Sequence, residues 1–378
     1  PMICYHIKMR KLISIVLVVV VGLVTLYFYG SFRQPKEVRK NTEKKVSPSL
    51  KQIDNTVTVS KSIFVPYWSI NQESLDFSEY DKVIYFGIAP SRQGINRQEE
   101  GYIALEKFIS SVSEVKKKYL TLRMIDDEIN SFILNNKNIQ KKIIDESLNI
   151  LTEKGFSGLV LDLEISNILN KDITDQINVF VQTFYTTLNK DYRKFYLALY
   201  GDTFYRKRPF DLKHISRNSD GILIMAYDFH KSRGEPGPNF PYESGAKYQY
   251  NFKTMISDFL QFVPKEKLTV IYGMFGYNWL VDEKKRPIRQ AEALSLNEIK
   301  KKFIMKCEFK NCIIKRDKIS QETEINYIIS SSTPDELNIY RIDYHIVWFE
   351  DEESVKVKTE YLKEQGIGSV SYWASGYF

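Results

Sequence analysis

A metal-ligand set, a phosphate cradle and a disulfide framework are all missing from this sequence. The 378 residues hold only 4 His and 3 Cys. The histidines are scattered and no CxxC occurs, so no metal is expected. Cys4 stands apart, while Cys307 and Cys312 bracket the tetrapeptide EFKN. That spacing suits one local bridge outside the cell or two free thiols. The first strand-like run is followed by YWSINQES rather than a glycine-rich loop, which argues against a doubly wound nucleotide-binding sheet. Much of the net charge of +7 lies after the N-terminal apolar run. No concentrated basic and aromatic stripe occurs beyond it, so nucleic acid is not an expected partner. No cofactor is expected either, and the chain is read as a monomer.

What the sequence has in quantity is aromatic residues, 14% of the chain, with 25 Tyr and 23 Phe but only 4 Trp. Such a supply suits a packed core and a surface that stacks on sugar rings or bases. A genome biased towards Tyr, Lys and Asn would give the same count. Hydrophobic residues at 43% and charged residues at 27% fit an ordinary globular domain.

The one long apolar run is LISIVLVVVVGLVTLYFYG, residues 12–30, preceded by Lys8, Arg10 and Lys11. A bilayer-spanning helix needs about 20 such residues. No small-x-small cleavage site follows, and the run ends on Tyr27, Phe28 and Tyr29, an interfacial belt. The run therefore predicts an uncleaved anchor rather than a signal peptide. The seven Lys/Arg against three Asp/Glu in residues 31–60 argue against translocating that side, and residues 1–11 are placed in the cytoplasm only because of the function argued below. The globular part would be extracytoplasmic, and secreted if the segment is cleaved. Residues 1–8 read as an upstream extension, with Met9 as the expected start. Residues 31–60 are polar, carry two prolines and read as a flexible tether.

From residue 61 to 378, eight short apolar runs alternate with helical patterns. The runs begin at residues 62, 82, 118, 158, 194, 221, 268 and 366, and are rich in Val, Ile, Leu, Tyr and Phe. The alternation predicts an α/β fold, a (β/α)8 TIM barrel. About 90 residues separate the starts of the last two runs, so a small α+β insertion is expected over about 280–345.

Chemistry in such a barrel sits at the C-terminal strand ends. Tyr67 and Trp68 end the first run, Asp126, Asp127 and Glu128 the third, and Asp162 and Glu164 the fourth. Asp202 ends the fifth, Met225, Tyr227 and Asp228 close the sixth, Tyr277 and Trp279 the seventh, and Trp373 the eighth. Asp126, Asp127 and Asp202 are read mainly as hydrogen-bond acceptors for loop amides. In GLVLDLE, side-chain alternation puts Val160, Asp162 and Glu164 on one face, the barrel interior. Two acids about 6–7 Å apart along a strand influence each other's protonation. Paired acids among aromatics fit glycoside hydrolysis, in which one acid must protonate the leaving oxygen.

These residues resemble a known family. FSGLVLDLE (156–164) is similar to the fourth-strand signature of glycoside hydrolase family 18, the chitinase-like enzymes, aromatic-D-G-ϕ-D-ϕ-D-ϕ-E, where ϕ is apolar. MAYD (225–228) resembles the sixth-strand M-x-Y-D, and SYWASG (371–376) resembles the eighth-strand segment bearing the floor Trp. Residues 345–373 resemble the last helix and strand of a bacterial branch that includes spore-cortex N-acetylglucosaminidases. The resemblance implies hydrolysis of β-1,4-linked N-acetylglucosamine polymers, peptidoglycan or less readily chitin, by substrate-assisted retaining catalysis. It implies Glu164 as general acid and then base, Asp162 as holder of the acetamido N–H, and Tyr227 as donor to the acetamido carbonyl. It also implies substrate contacts for Asp228, Met225 and Trp373, with Tyr67, Trp68 and Trp279 as further candidate sugar contacts. Ser157 and Val160 replace the first two acids of the signature, and LRMIDD lacks the third-strand S-x-G-G. With Val160 in place, Asp162 is expected to be less raised in pKa. The competing reading is a lectin-like member that binds sugar without cleaving it. An endo-acting enzyme on protein N-glycans would use the same residues.

Overall fold

The computed structural model describes residues 58–378, apart from 72–75, 113, 116, 166–170 and 331–341. The predicted membrane anchor at 12–30 and most of the predicted tether at 31–60 lie outside the described residues. Among the described residues, no helix is long and apolar enough to cross a membrane.

Eight parallel strands close into a barrel. They are β1 (Ser60–Pro66), β2 (Lys82–Ile88), β3 (Lys118–Met124), β4 (Gly158–Leu163), β5 (Lys194–Tyr200), β6 (Gly221–Ala226), β7 (Leu268–Gly273) and, last in the chain, β13 (Ser369–Trp373). Around the barrel the order is β1-β13-β7-β6-β5-β4-β3-β2, closing onto β1. The predicted barrel is therefore present, and each strand falls within two residues of a run start except the last, where the run began three residues early.

Alternation sorts the side chains into two layers. Val160 lies in the barrel lumen with Phe64, Ile84, Tyr119, Ala198 and Leu223. Leu159, Leu161 and Leu163 face outward into the larger core between barrel and helices. Strand β4 also needs a residue without a side chain at its start. A Cβ on Gly158 would meet the Lys194 carbonyl oxygen at 2.1 Å, so glycine permits the close approach of β5.

Side chains at the helix starts satisfy backbone donors there. Asp126 Oδ1 accepts from the amides of Glu128 and Ile129, both at 2.9 Å, and opens the helix Asp127–Leu134. Asn136, Asp211 and Asn251 do the same for the helices Lys137–Glu153, Leu212–Arg217 and Phe252–Leu260. Asp126 is thus accounted for by capping. Asp202 is a buried acid held by Arg206 and Arg208.

The seventh predicted run, 268–279, is two strands. After β7 the chain crosses Met274, whose amide donates to the Trp373 carbonyl at 2.7 Å. It then enters β8 (Phe275–Val281), the first strand of an inserted antiparallel sheet. That sheet adds β9 (Glu292–Ser295), β10 (Lys310–Arg316), β11 (Thr323–Ser330) and β12 (Ile342–Phe349), in the order β9-β8-β12-β11-β10. A short helix, Leu296–Ile299, accompanies it. The α+β character matches the expectation, but the insertion runs from 275 to 349 rather than 280 to 345. Cys307 and Cys312 form a disulfide within it.

Candidate active site

Strand β4 delivers its acids to the mouth of the barrel. Asp162 is 4% exposed, and Glu164 stands half-buried just beyond the strand end. The Glu164 backbone is fixed on both sides. Its amide donates to the Met124 carbonyl at 2.8 Å, and Asn130 Nδ2 donates to its carbonyl at 2.9 Å. The side chain accepts a hydrogen bond from the Tyr200 hydroxyl at the end of β5. Tyr200 itself lies beneath the Arg208 guanidinium, 3.7 Å from the ring centre.

Burial holds the Asp162 carboxyl well above the usual carboxylate range, and the neighbouring Glu164 adds to the effect. The Arg123 guanidinium opposes it, standing beside Asp162 in the register of β3 against β4. Arg123 is buried, pairs with Glu99, and lies 5.2 Å from the Tyr67 ring and 5.3 Å from the Phe86 ring. The carboxyl is raised even with Val160 below it, because burial comes first among the causes. Removal from water is the largest influence on this carboxyl. Asp162 Oδ1 has no hydrogen-bond partner, so the group keeps an unused acceptor facing the cleft.

Burial and the charge of Asp162 also push the Tyr227 hydroxyl far above its usual value. Tyr227 therefore remains a proton donor. Asp228 follows with a left-handed backbone (φ 58°), a conformation that Asp tolerates better than most residues. Asn239 holds it there, with Oδ1 accepting from the Asp228 amide at 2.7 Å. The Tyr277 hydroxyl donates to Asp228 Oδ1 at 2.7 Å. Burial raises the Asp228 carboxyl, while the Tyr277 bond and the Lys231 charge pull it back.

Trp373 forms an aromatic floor with Phe86, its ring centre 4.7 Å away and nearly perpendicular. Tyr227 lies 6.4 Å from it at 30°. Together these groups line a cavity of about 290 Å³, which includes Asp162, Glu164, Met225, Tyr227, Asp228 and Trp373. Trp68 stands at the rim, 46% exposed and 6.2 Å from Trp373. Tyr67 packs edge-on against Trp68 and under Arg123, behind the cavity wall.

Besides Tyr67, which lies behind the wall, one predicted contact is far from the cleft. Trp279 is fully buried in the inserted sheet, and its indole N–H donates to the Gly234 carbonyl at 3.0 Å. The cause is the break after β7. Trp279 is not a barrel-strand end but lies four residues into β8. Sequence reasoning missed Tyr200 and Arg123. Tyr200 ends the run KFYLALYGD, so attention to Asp202 alone passed over it. Arg123 becomes visible only once β3 and β4 are in register. Among the described residues, no group of three or more His, Cys, Asp or Glu is placed to hold a metal ion.

The chain matches the family described as "Glycosyl hydrolases family 18" over residues 63–377. A curated relative, "Uncharacterized glycosylase YvbX" of Bacillus subtilis (strain 168), is 24% identical over 257 residues, which is 66% of this chain and 66% of the relative. The "Cortical fragment-lytic enzyme" of Bacillus anthracis is 25% identical over 258 residues, 66% of this chain and 53% of its own length. These matches span between half and two thirds of the relatives' lengths. Among solved structures, the Bacillus cereus spore cortex-lytic enzyme SleL superposes with a TM-score of 0.64 at 21% identity, covering 85% of this chain and 72% of that one.

Proposed function

Because the chain belongs to glycosyl hydrolase family 18, we propose that it is a glycosidase that cleaves β-1,4 bonds next to N-acetylglucosamine in a peptidoglycan-like glycan. The observation that carries this reading is the trio Glu164, Asp162 and Tyr227 lining one cavity above an aromatic floor. The names of relatives that act on spore cortex support a cell-wall substrate over chitin. The apolar run at 12–30 supports a membrane-anchored enzyme working outside the cytoplasm.

In this reading Glu164 protonates the leaving oxygen and later deprotonates water. The sugar's own 2-acetamido oxygen attacks the anomeric carbon, so no enzyme carboxylate acts as nucleophile. Asp162, with its free acceptor, takes the acetamido N–H and offsets the positive charge that develops. Tyr227 donates to the acetamido oxygen. Trp373 supports the distorted ring, and Asp228, fixed by Tyr277, contacts the substrate beside the cleaved bond.

The test is incubation of the full chain with purified peptidoglycan and with a fluorogenic chitooligosaccharide. Release of new reducing ends, with the anomeric configuration retained by NMR, is the expected result. Inversion would exclude the acetamido mechanism, and no release would exclude the glycosidase.

Two further outcomes are expected. Tyr200→Phe removes the hydrogen bond to Glu164 and should lower kcat about tenfold with KM nearly unchanged. A raised KM with kcat unchanged would show that Tyr200 binds substrate instead of positioning Glu164. Val160→Asp places a second carboxyl one step below Asp162 in the lumen. A like charge raises Asp162 further, so the pH profile of kcat/KM should move upward by about one unit. An unchanged profile would show that the two positions are uncoupled.

A further inference from the structure

A second, larger pocket opens beside the cleft, about 560 Å³ in volume, between the loops that follow β5 and β6. A pocket of this size accommodates a saccharide unit. Its wall is both aromatic and basic. The Tyr205 and Phe229 rings pack with centres 5.5 Å apart, and Tyr205 is 40% exposed. Arg206, Lys231, Arg233 and Lys247 line it. Arg206 shares the single carboxylate of Asp202 with Arg208, so one positive charge of that trio is uncompensated. Lys247 is balanced by Asp317 at 3.0 Å. Lys231 and Arg233 have no ion-pair partner among the described residues, and Glu235 is the one acid lining the pocket. The pocket is therefore net positive.

Its lining residues neighbour the catalytic groups. Lys231 lies 5.3 Å from the ring of Tyr200, whose hydroxyl holds Glu164. Phe229 directly follows Asp228 in the chain, and Arg206 Nη2 donates to its carbonyl at 3.4 Å. This neighbourhood places the pocket where a further unit of the same glycan would run. A neutral N-acetylglucosamine polymer gives these cations nothing to neutralise. A peptidoglycan strand carries carboxylates on its stem peptides, and a free lactyl carboxylate on any alternate sugar that lacks a stem, since the stem is amide-linked through that group.

We propose that this pocket is an anionic-saccharide subsite that binds a carboxylate of the substrate, through Arg206, Lys231 and Arg233, against the Tyr205 and Phe229 rings. It rests on the glycosidase reading for its substrate and would make the enzyme prefer carboxylated glycan to chitin-like polymer. Guanidinium and carboxylate are matched for paired hydrogen bonds, and the rings suit the apolar face of a sugar.

The test uses the full chain carrying Glu164→Gln, so that ligands are bound but not consumed. Peptidoglycan fragments with free carboxylates are titrated by calorimetry beside the same fragments with carboxylates amidated. The free acids should bind about tenfold tighter. The preference should shrink as salt is raised. Adding Arg206→Gln and Arg233→Glu should abolish the preference, with an unchanged melting temperature showing that the variant is folded. Equal binding of free and amidated fragments by the unaltered pocket overturns the proposal without any variant. Fragments stripped of peptide separate the two sources. Stripping frees the lactyl carboxyl from its amide, so tight binding of stripped fragments shows that the pocket takes a lactyl carboxylate where no stem is attached, and a loss to the amidated level assigns the stem peptide. Parent activity is read separately. A carboxylate preference with no hydrolysis by the parent would sink the glycosidase and keep the subsite, whereas hydrolysis without preference would do the reverse.

Discussion

Glu164→Gln should lower glycan hydrolysis by about a thousandfold or more while leaving sugar binding within a fewfold of the parent. General acid catalysis contributes about 100- to 10,000-fold, and here one group would serve as acid in the first step and as base in the second. Glutamine keeps the size of the side chain and an acceptor for the Tyr200 hydroxyl, so the wall of the cleft persists. What it loses is the proton to give. The floor of Trp373 and Phe86, and the polar groups of Tyr227 and Asp162, remain to hold sugar. The measurement is kcat on purified peptidoglycan beside a dissociation constant for a non-hydrolysed oligosaccharide. Full activity in the variant would remove Glu164 from the mechanism. Inactivity in both parent and variant, with binding intact in both, would favour a sugar-binding role for this cleft.

The barrel and the acids on β4 were legible because local pattern and global position coincide there. GLVLDLE alternates with period two, so the sidedness of Val160, Asp162 and Glu164 needed no partner strand. The start of the insertion was less legible. LTVIYGMFGYNW is apolar throughout, and nothing in its composition marks Met274 as the point where the chain leaves the barrel. Trp279 was misplaced for that reason. Arg123 and Tyr200 were hidden differently. Each reaches the site through strand register, which one strand read alone does not contain. The mutual influence of Asp162 and Glu164 was legible from their spacing, but the depth of the Asp162 carboxyl, which comes first among the causes of its rise, was not.

The largest stability effect is expected from a residue outside the cleft. Lys358 lies on the helix Glu352–Glu364, between Val355 and Leu362 on its buried face. It is wholly buried, and its ammonium donates to Glu322 at 2.9 Å and to Glu350, both also wholly buried. Glu322 in turn accepts from the Asn239 and Phe240 amides, and Asn239 holds the amide of Asp228. One cation thus joins the last helix, the insertion and the loop that carries a cleft residue. Replacing it by methionine keeps the volume but leaves two acids in a dry site, and breaking a buried ion pair from one side costs about 3–5 kcal/mol. Lys358→Met should therefore lower the denaturant midpoint by that equivalent and reduce activity through Asp228 even where the variant is folded. Burial already pushes Glu350 up to about 8 from 4.5, with Lys358 opposing the rise. The native state then keeps a proton that the unfolded chain releases above 4.5. The stability from this group is complete below that pH and declines as pH rises through about 8, by at most about 1.4 kcal/mol per unit. Adding Glu350→Gln to Lys358→Met removes one surplus acid and should restore part of the lost stability. No recovery, or a Lys358→Met variant as stable as the parent, would show that water reaches these groups and that the cleft loop is held by other contacts.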